Sequence, residues 1–117
     1  MLINELAETI ALDGTWQFIL NANQEGTIQV PGCWEAQGYS KTADGPAHYR
    51  RDVLIPAAWA GWRIWLEFDA VCYACVVFCN GIQVGEHRGL WTPFAVDLSA
   101  AAAPGEENRL EVVVYKP

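Results

Sequence analysis

RIWLEFDAVCYACVVFCNGIQVGEHRGLWTPFAVD, residues 63–97, is the stretch that decides the fold. Two apolar segments of alternating pattern flank the dipeptide Asn80-Gly81. Both central residues of a type I′ turn need positive φ, and Asn-Gly between alternating segments is the strongest short-range signal of a β-hairpin. An aromatic-rich segment, Glu86 to Phe94, follows. Outward from this hairpin, apolar alternation recurs in short pieces separated by turn residues, as in an all-β sandwich. Strands are predicted near 15–20, 27–30, 48–55, 63–69, 72–79, 83–86, 94–98 and 109–115. Helical turns are predicted only at Glu5–Ile10 and Ser99–Ala103. Eight short antiparallel strands with long loops at one end predict a jelly roll.

Size and charge narrow the function classes. The 117 residues suffice for one domain, 1–117, and 52% of them are hydrophobic, enough for a real core. No internal repeat or linker divides them. The net charge of −7, with seven basic residues and no basic run beyond Arg50-Arg51, lacks the positive footprint of a nucleic-acid reader. It disfavours an anionic membrane surface on the same ground. No apolar run approaches the ~20 residues of a membrane span. Met1–Leu12 carries Glu5 and Glu8 and no positive n-region, so it is not read as a signal peptide. The expected location is the cytoplasm, unless a leader precedes this chain.

Period two assigns the faces of the strands. Tyr49, Val53, Ile55, Ile64, Leu66, Phe68, Tyr73, Cys75, Val77, Phe94, Val96, Leu110, Val112 and Val114 share one side, a full sandwich core. The opposite side is also greasy: Leu54, Trp65, Ala74, Val76, Phe78, Val113 and Tyr115. A solvated sheet face alternates polar residues in such places. Trp65, Val76, Phe78, Val113 and Tyr115 are therefore the candidate interface residues, for docking or for a homodimer.

Chemistry-bearing clusters are sparse. Cys72, Cys75 and Cys79 have a spacing that superficially suits a metal, but on a strand Cys72 would face away from the other two. Small buried thiols are the expected reading, with no metal and no cofactor. A disulfide from Cys33 and a structural calcium near Asp44-Gly45 stay open. There is no Gly-x-Ser-x-Gly, no His-Glu-x-x-His and no recognisable nucleophile–base pair, so no catalytic residue is assigned.

Six further pieces occur in a recognisable order. They are Leu12-Asp13-Gly14-Thr15-Trp16-Gln17-Phe18, Val30-Pro31-Gly32-Cys33-Trp34, His48-Tyr49-Arg50-Arg51-Asp52, Pro56-Ala57-Ala58-Trp59-Ala60-Gly61, Asn80-Gly81 with Val84-Gly85, and His87-Arg88-Gly89-Leu90-Trp91-Thr92-Pro93-Phe94 leading to Asp97. Together they resemble the N-terminal sugar-binding domain of glycoside hydrolase family 2, the β-galactosidase and β-glucuronidase group. The resemblance runs from about Leu12 to Tyr115 and implies a galactose-binding-like jelly roll. Two departures stand out: a short segment between Trp16 and Trp34, and Leu90 where the family's second Gly would stand. The family's catalytic carboxylates sit in a barrel that this chain does not contain, so the resemblance implies an accessory domain and no glycosidase activity.

The candidate ligand residues are Trp34, His48, Arg50, Glu86, His87, Arg88 and Trp91. An aromatic face stacks on the apolar side of a pyranose, and nearby cations and carboxylates bond its hydroxyls. The same Trp91 could plug the sandwich end with solvated charges around it. Trp16 and Trp59 are expected to be framework residues, and Trp62 to stand outward at a turn. The expected partners are a weakly bound carbohydrate and the missing glycosidase domains, or a second copy of the chain. Arg50 or Arg51 is expected to pair with Asp52, Glu67 or Asp69.

Overall fold

The computed structural model describes residues 1–21, 24–30, 46–68, 74–88 and 93–115. Among the described residues ten strands form: β1 Leu2–Asn4, β2 Thr9–Ile10, β3 Gly14–Asn21, β4 Gln24–Val30, β5 Ala47–Leu54, β6 Ile64–Phe68, β7 Ala74–Cys79, β8 Ile82–His87, β9 Phe94–Asp97 and β10 Glu107–Tyr115. They build a four-stranded sheet, β2-β1-β6-β9, and a six-stranded sheet, β4-β3-β5-β10-β7-β8, with every pairing antiparallel. The chain passes between sheets at β2–β3, β5–β6, β6–β7, β8–β9 and β9–β10, the crossings of a jelly roll.

The Asn80-Gly81 turn closes β7 on β8 as its chemistry predicts, with φ of 52° and 80° and Cys79 opposite Ile82. The eight predicted strands all form, within one to three residues at their ends. Two short strands, β1 and β2, replace the helical turn predicted at Glu5–Ile10. Asn4 is the reason: its Oδ1 accepts from the amides of Leu6 (2.9 Å) and Glu8 (3.1 Å), and Ala7 takes φ 60°. A side chain that bonds its own following backbone competes with helix, and here it closes a hairpin.

The second predicted helix, Ser99–Ala103, is a single turn in which the amides of Ala101 and Ala102 both donate to Leu98 O. Pro104 cannot extend it, and the side chain of Asn108 takes both backbone groups of Ala103 instead. A 3₁₀ turn, Ala57–Trp59, appears where a loop was expected and drives Trp59 into the core.

Between the sheets lie Phe18, Ile28, Cys75, Val77, Cys79, Leu110 and Val112 from the larger one and Leu2, Ile64, Leu66 and Val96 from the smaller. Phe18 meets Tyr49 edge-to-face at 5.1 Å. Trp16 is buried as expected, and its Nε1 donates to Leu12 O at 2.8 Å, which satisfies the one polar atom of the ring. Of the core face assigned by period two, every described member is buried or half-buried.

The sandwich closes tightly where edge strand β8 leans on edge strand β9. A Cβ built on Gly85 would come within 2.7 Å of Val96 Cγ1. Val96 is β-branched and short, so it cannot swing clear without leaving its rotamer. Gly85→Ala should cost about 1–3 kcal/mol by overpacking, read as a lower urea midpoint at unchanged slope. A midpoint equal to wild type would mean that the two edges separate freely.

Candidate functional site

Each candidate residue is positioned by the alternation of its strand. His48 and Arg50 lie on the outer face of the six-stranded sheet, because their neighbours Ala47 and Tyr49 pair with inward residues of β10 and β3. Glu86 joins the same face across from Val76. One row across it therefore reads Ile19, His48, Val113, Val76 and Glu86, and the next reads Gln17, Arg50, Glu111 and Phe78. Glu111, which sequence did not single out, organises the charges. Its carboxylate bonds Arg50 Nε, and its other oxygen lies 3.7 Å from His48 Nδ1, a buried nitrogen with no hydrogen-bond partner.

The cation pairs differ from those expected. Arg50 pairs with Glu111, and Asp52 takes Arg109 at 3.1 Å on the neighbouring strand. Arg51 points the other way and donates to the carbonyls of Leu12 (2.8 Å) and Asp13 (3.3 Å). Antiparallel register decides these partners: Arg50 faces Glu111 and Asp52 faces Arg109 directly, whereas Glu67 belongs to the other sheet. Asp69 lies outside the described residues.

The consecutive residues Glu86, His87 and Arg88 do not form one cluster. His87 sits opposite buried Cys75 and turns inward, where its ring stacks on Phe94 at 3.9 Å and 8°. Phe94 stacks in turn on Phe68 at 4.5 Å and 9°. This three-ring ladder ties β8 to β9 and β6. Arg88 is exposed beyond the end of β8. Trp34 and Trp91 lie outside the described residues, as do Cys33, Cys72 and Asp44-Gly45.

The candidate interface is also divided. Val76, Phe78, Val113 and Tyr115 share the outer face of the six-stranded sheet, but Trp65 belongs to β6 and stands on the outer face of the four-stranded one. The two outer faces of a sandwich point in opposite directions, so no single flat surface covers all five residues. Trp65 lies between Ile3 and Asp97. The hydroxyl and amide of Ser99, with Arg63 behind them, hold the Asp97 carboxyl below its ordinary range. Val113 is only 4% exposed, closed in by its own sheet neighbours rather than open to a partner.

One end of the sandwich gathers the start of β5, the ends of β6, β8 and β10, and the starts of β7 and β9. The ring ladder and Arg88 stand there. Among the described residues, no group of three or more His, Cys, Asp or Glu side chains could hold a metal ion. No helix among them is long and apolar enough to cross a membrane. What the arrangement offers is recognition chemistry: aromatic rings, the exposed side chain of Arg88 and a charge-paired sheet face.

Known proteins agree with this architecture. Residues 40–117 match the family described as glycosyl hydrolases family 2, sugar binding domain. A beta-glucuronidase from Bacteroides fragilis is 30% identical over 112 residues, 90% of this chain and 16% of that protein. A beta-glucuronidase from Paenibacillus borealis is 37% identical over 70 residues, 60% of this chain and 12% of that protein. Among solved structures, the beta-glucuronidase of Ruminococcus gnavus superposes with a TM-score of 0.80 at 26% identity, over 99% of this chain and 21% of its own. This chain thus spans a small fraction of the length of these relatives. It belongs to the sugar-binding domain family of glycosyl hydrolases family 2.

Proposed function

We propose that this is a non-catalytic, carbohydrate-associated accessory domain of a larger family 2 glycosidase, and that it touches sugar at its loop end. The observation that carries the reading is the match to the family's sugar-binding domain by a chain that spans only 12–16% of two glucuronidase relatives. The loop end is favoured over the sheet faces by what stands there. Arg88 is exposed, and Trp91 lies three residues beyond it in sequence. On the sheet face, by contrast, the guanidinium of Arg50 is already engaged by Glu111.

Few stacking groups converge on an open surface, so affinity should be weak, roughly millimolar to high micromolar. Tryptophan fluorescence titrated with a panel of galactosides and glucuronides tests this. Trp91→Ala, with an unchanged circular-dichroism spectrum, should lose the saturable shift at least tenfold. Equal binding by the variant would sink the loop site. A second reading, in which the domain has no ligand and only docks on the other domains of the enzyme, is favoured by the apolar residues on its outer faces. The absence of any saturable shift in the wild-type chain would select it.

A further inference from the structure

Asn80-Gly81 is the one Asn-Gly step in the chain, and it stands on an exposed turn. The turn needs this pair, since Asn80 takes φ 52° and Gly81 φ 80°. The same dipeptide carries a chemical hazard. Glycine has no side chain to shield its backbone nitrogen, so that nitrogen can attack the side-chain amide carbon of the preceding asparagine and close a five-membered imide.

In this fold the side chain that would react is fully engaged. Asn80 Nδ2 donates to Ala101 O (2.9 Å) and to Asn108 Oδ1 (2.8 Å), and Oδ1 accepts from the Arg109 amide (2.9 Å). The backbone amide of Asn80 donates in turn to Arg109 O at 2.9 Å. Both N–H groups of the side chain therefore have acceptors, one of them on fully buried Asn108. Ring closure must bring Cγ to bonding distance of Gly81 N, about 1.3 Å. That swing carries the side chain off all three partners.

We propose that Asn80 is a deamidation site that the folded turn keeps latent, and that its conversion is a one-way step that loosens the β7–β8 hairpin. The chemistry needs only water. Gly81 N gives up its proton and bonds Asn80 Cγ as the Cγ–Nδ2 bond breaks, and Nδ2 leaves with that proton as ammonia. Water then opens the imide. Cleavage of the Cγ–N bond gives aspartate, and cleavage at the backbone carbonyl carbon gives isoaspartate, with Cβ in the main chain. Nothing is oxidised or reduced.

Either product misfits this site. An aspartate carboxylate has no N–H, so it would set an oxygen against Ala101 O and Asn108 Oδ1, two acceptors that then lose a donor. Isoaspartate lengthens a two-residue turn by one main-chain atom, and Cys79 no longer faces Ile82 in register. Damage at an exposed turn is thereby passed to the buried amide of Asn108. The proposal holds with or without a sugar ligand, and its test uses none.

Wild-type chain incubated at about pH 8, folded or in urea above its unfolding midpoint, is read by peptide mass spectrometry. Trypsin releases 64–88, in which Asn80 is the sole asparagine. The folded chain should gain the acid form at least about tenfold more slowly than the unfolded one. Asn108→Ala, which removes one acceptor of Nδ2, should speed the folded-state reaction severalfold. Gly85→Ala, which loosens the β8–β9 contact and touches none of these bonds, should not. Should Asn108→Ala fail to fold, hydrogen exchange of the Arg109 amide in wild type takes its place. That amide donates to Asn80 Oδ1, so its protection should match the slowing of deamidation to within about tenfold. Asn80→Asp should unfold at a lower urea concentration than wild type, with unchanged slope. A folded chain that reacts less than tenfold more slowly than the unfolded one overturns the proposal. So does a Gly85→Ala chain that reacts as fast as folded Asn108→Ala, an Arg109 amide that exchanges freely while Asn80 stays intact, or an Asn80→Asp chain as stable as wild type.

Discussion

Asn108→Leu should destabilise the domain by about 3 kcal/mol or more, lowering Tm by roughly 10 °C. Asn108 is fully buried, and its side chain makes four hydrogen bonds. Its Oδ1 accepts from the Ala103 amide (2.7 Å) and from Asn80 Nδ2 (2.8 Å), and its Nδ2 donates to the carbonyls of Ala103 (3.0 Å) and Glu106 (2.8 Å). A leucine of similar volume fills the space but leaves these groups facing hydrocarbon, each at about 1–3 kcal/mol unless water reaches it. The loss should spread, because Asn80 also donates to Ala101 O and accepts from the Arg109 amide. One amide side chain thereby joins the β7–β8 turn to the segment before β10. Thermal melts and urea titrations read the effect. A variant within 1 kcal/mol of wild type would show that water or rearrangement supplies the missing partners.

The reach of sequence can be judged from particular residues. Asn80-Gly81 was legible because its requirement is local: two positive φ values, met by the two residues that tolerate them best. The buried side of β10 was legible because period two needs only the strand's own residues. Partner identity was not. Arg50 finds Glu111, and Asp52 finds Arg109, through a register between strands more than fifty residues apart. No local rule supplies that register.

Trp65 illustrates a second limit. Alternation tells inside from outside but not which sheet a strand joins, so an outward Trp on β6 and an outward Val on β7 look alike in sequence. The case of Glu86, His87 and Arg88 differs. Alternation along β8 is enough to send Glu86 and His87 to opposite faces, and the ladder of His87, Phe94 and Phe68 adds the reason that His87 turns in. At the N-terminus the obstacle was Asn4, whose side chain satisfies two amides and so outweighs the helical leaning of Glu5–Ile10. Trp34 and Trp91 lie outside the described residues, and the fluorescence titration with Trp91→Ala tests the second of them.

Alkaline pH should unfold this domain sooner than its charge alone would require, and the buried thiols are the cause. Cys75 and Cys79 are free and buried on the inner face of β7. Burial pushes the Cys75 thiol from 9.0 up to about 11, against a smaller opposing bond from the His87 backbone, and burial raises Cys79 as well. Below pH 9 both thiols are protonated whether the chain is folded or not, and their contribution to stability is fully present. Between pH 9 and 11 the unfolded chain releases protons that the folded chain keeps, so unfolding gains free energy and stability falls as pH rises.

Each unit of difference is worth about 1.4 kcal/mol, which makes the loss from Cys75 on the order of 2–3 kcal/mol across that window. Urea midpoints at pH 8 and pH 10.5 measure it, with Cys75→Ala as the control. Tyrosines and lysines titrate alike in both proteins, so the difference between the two slopes belongs to the thiol. The variant should start lower at pH 8, because it leaves a small cavity, and then lose less on the way up. Parallel slopes would mean that water reaches Cys75 and that the β7–β8 edge opens before the rest of the sandwich. A thiol reagent, with the modified sites mapped, would register the same opening as modification of Cys75 in the folded chain near pH 8, where a closed core leaves Cys75 and Cys79 unreactive.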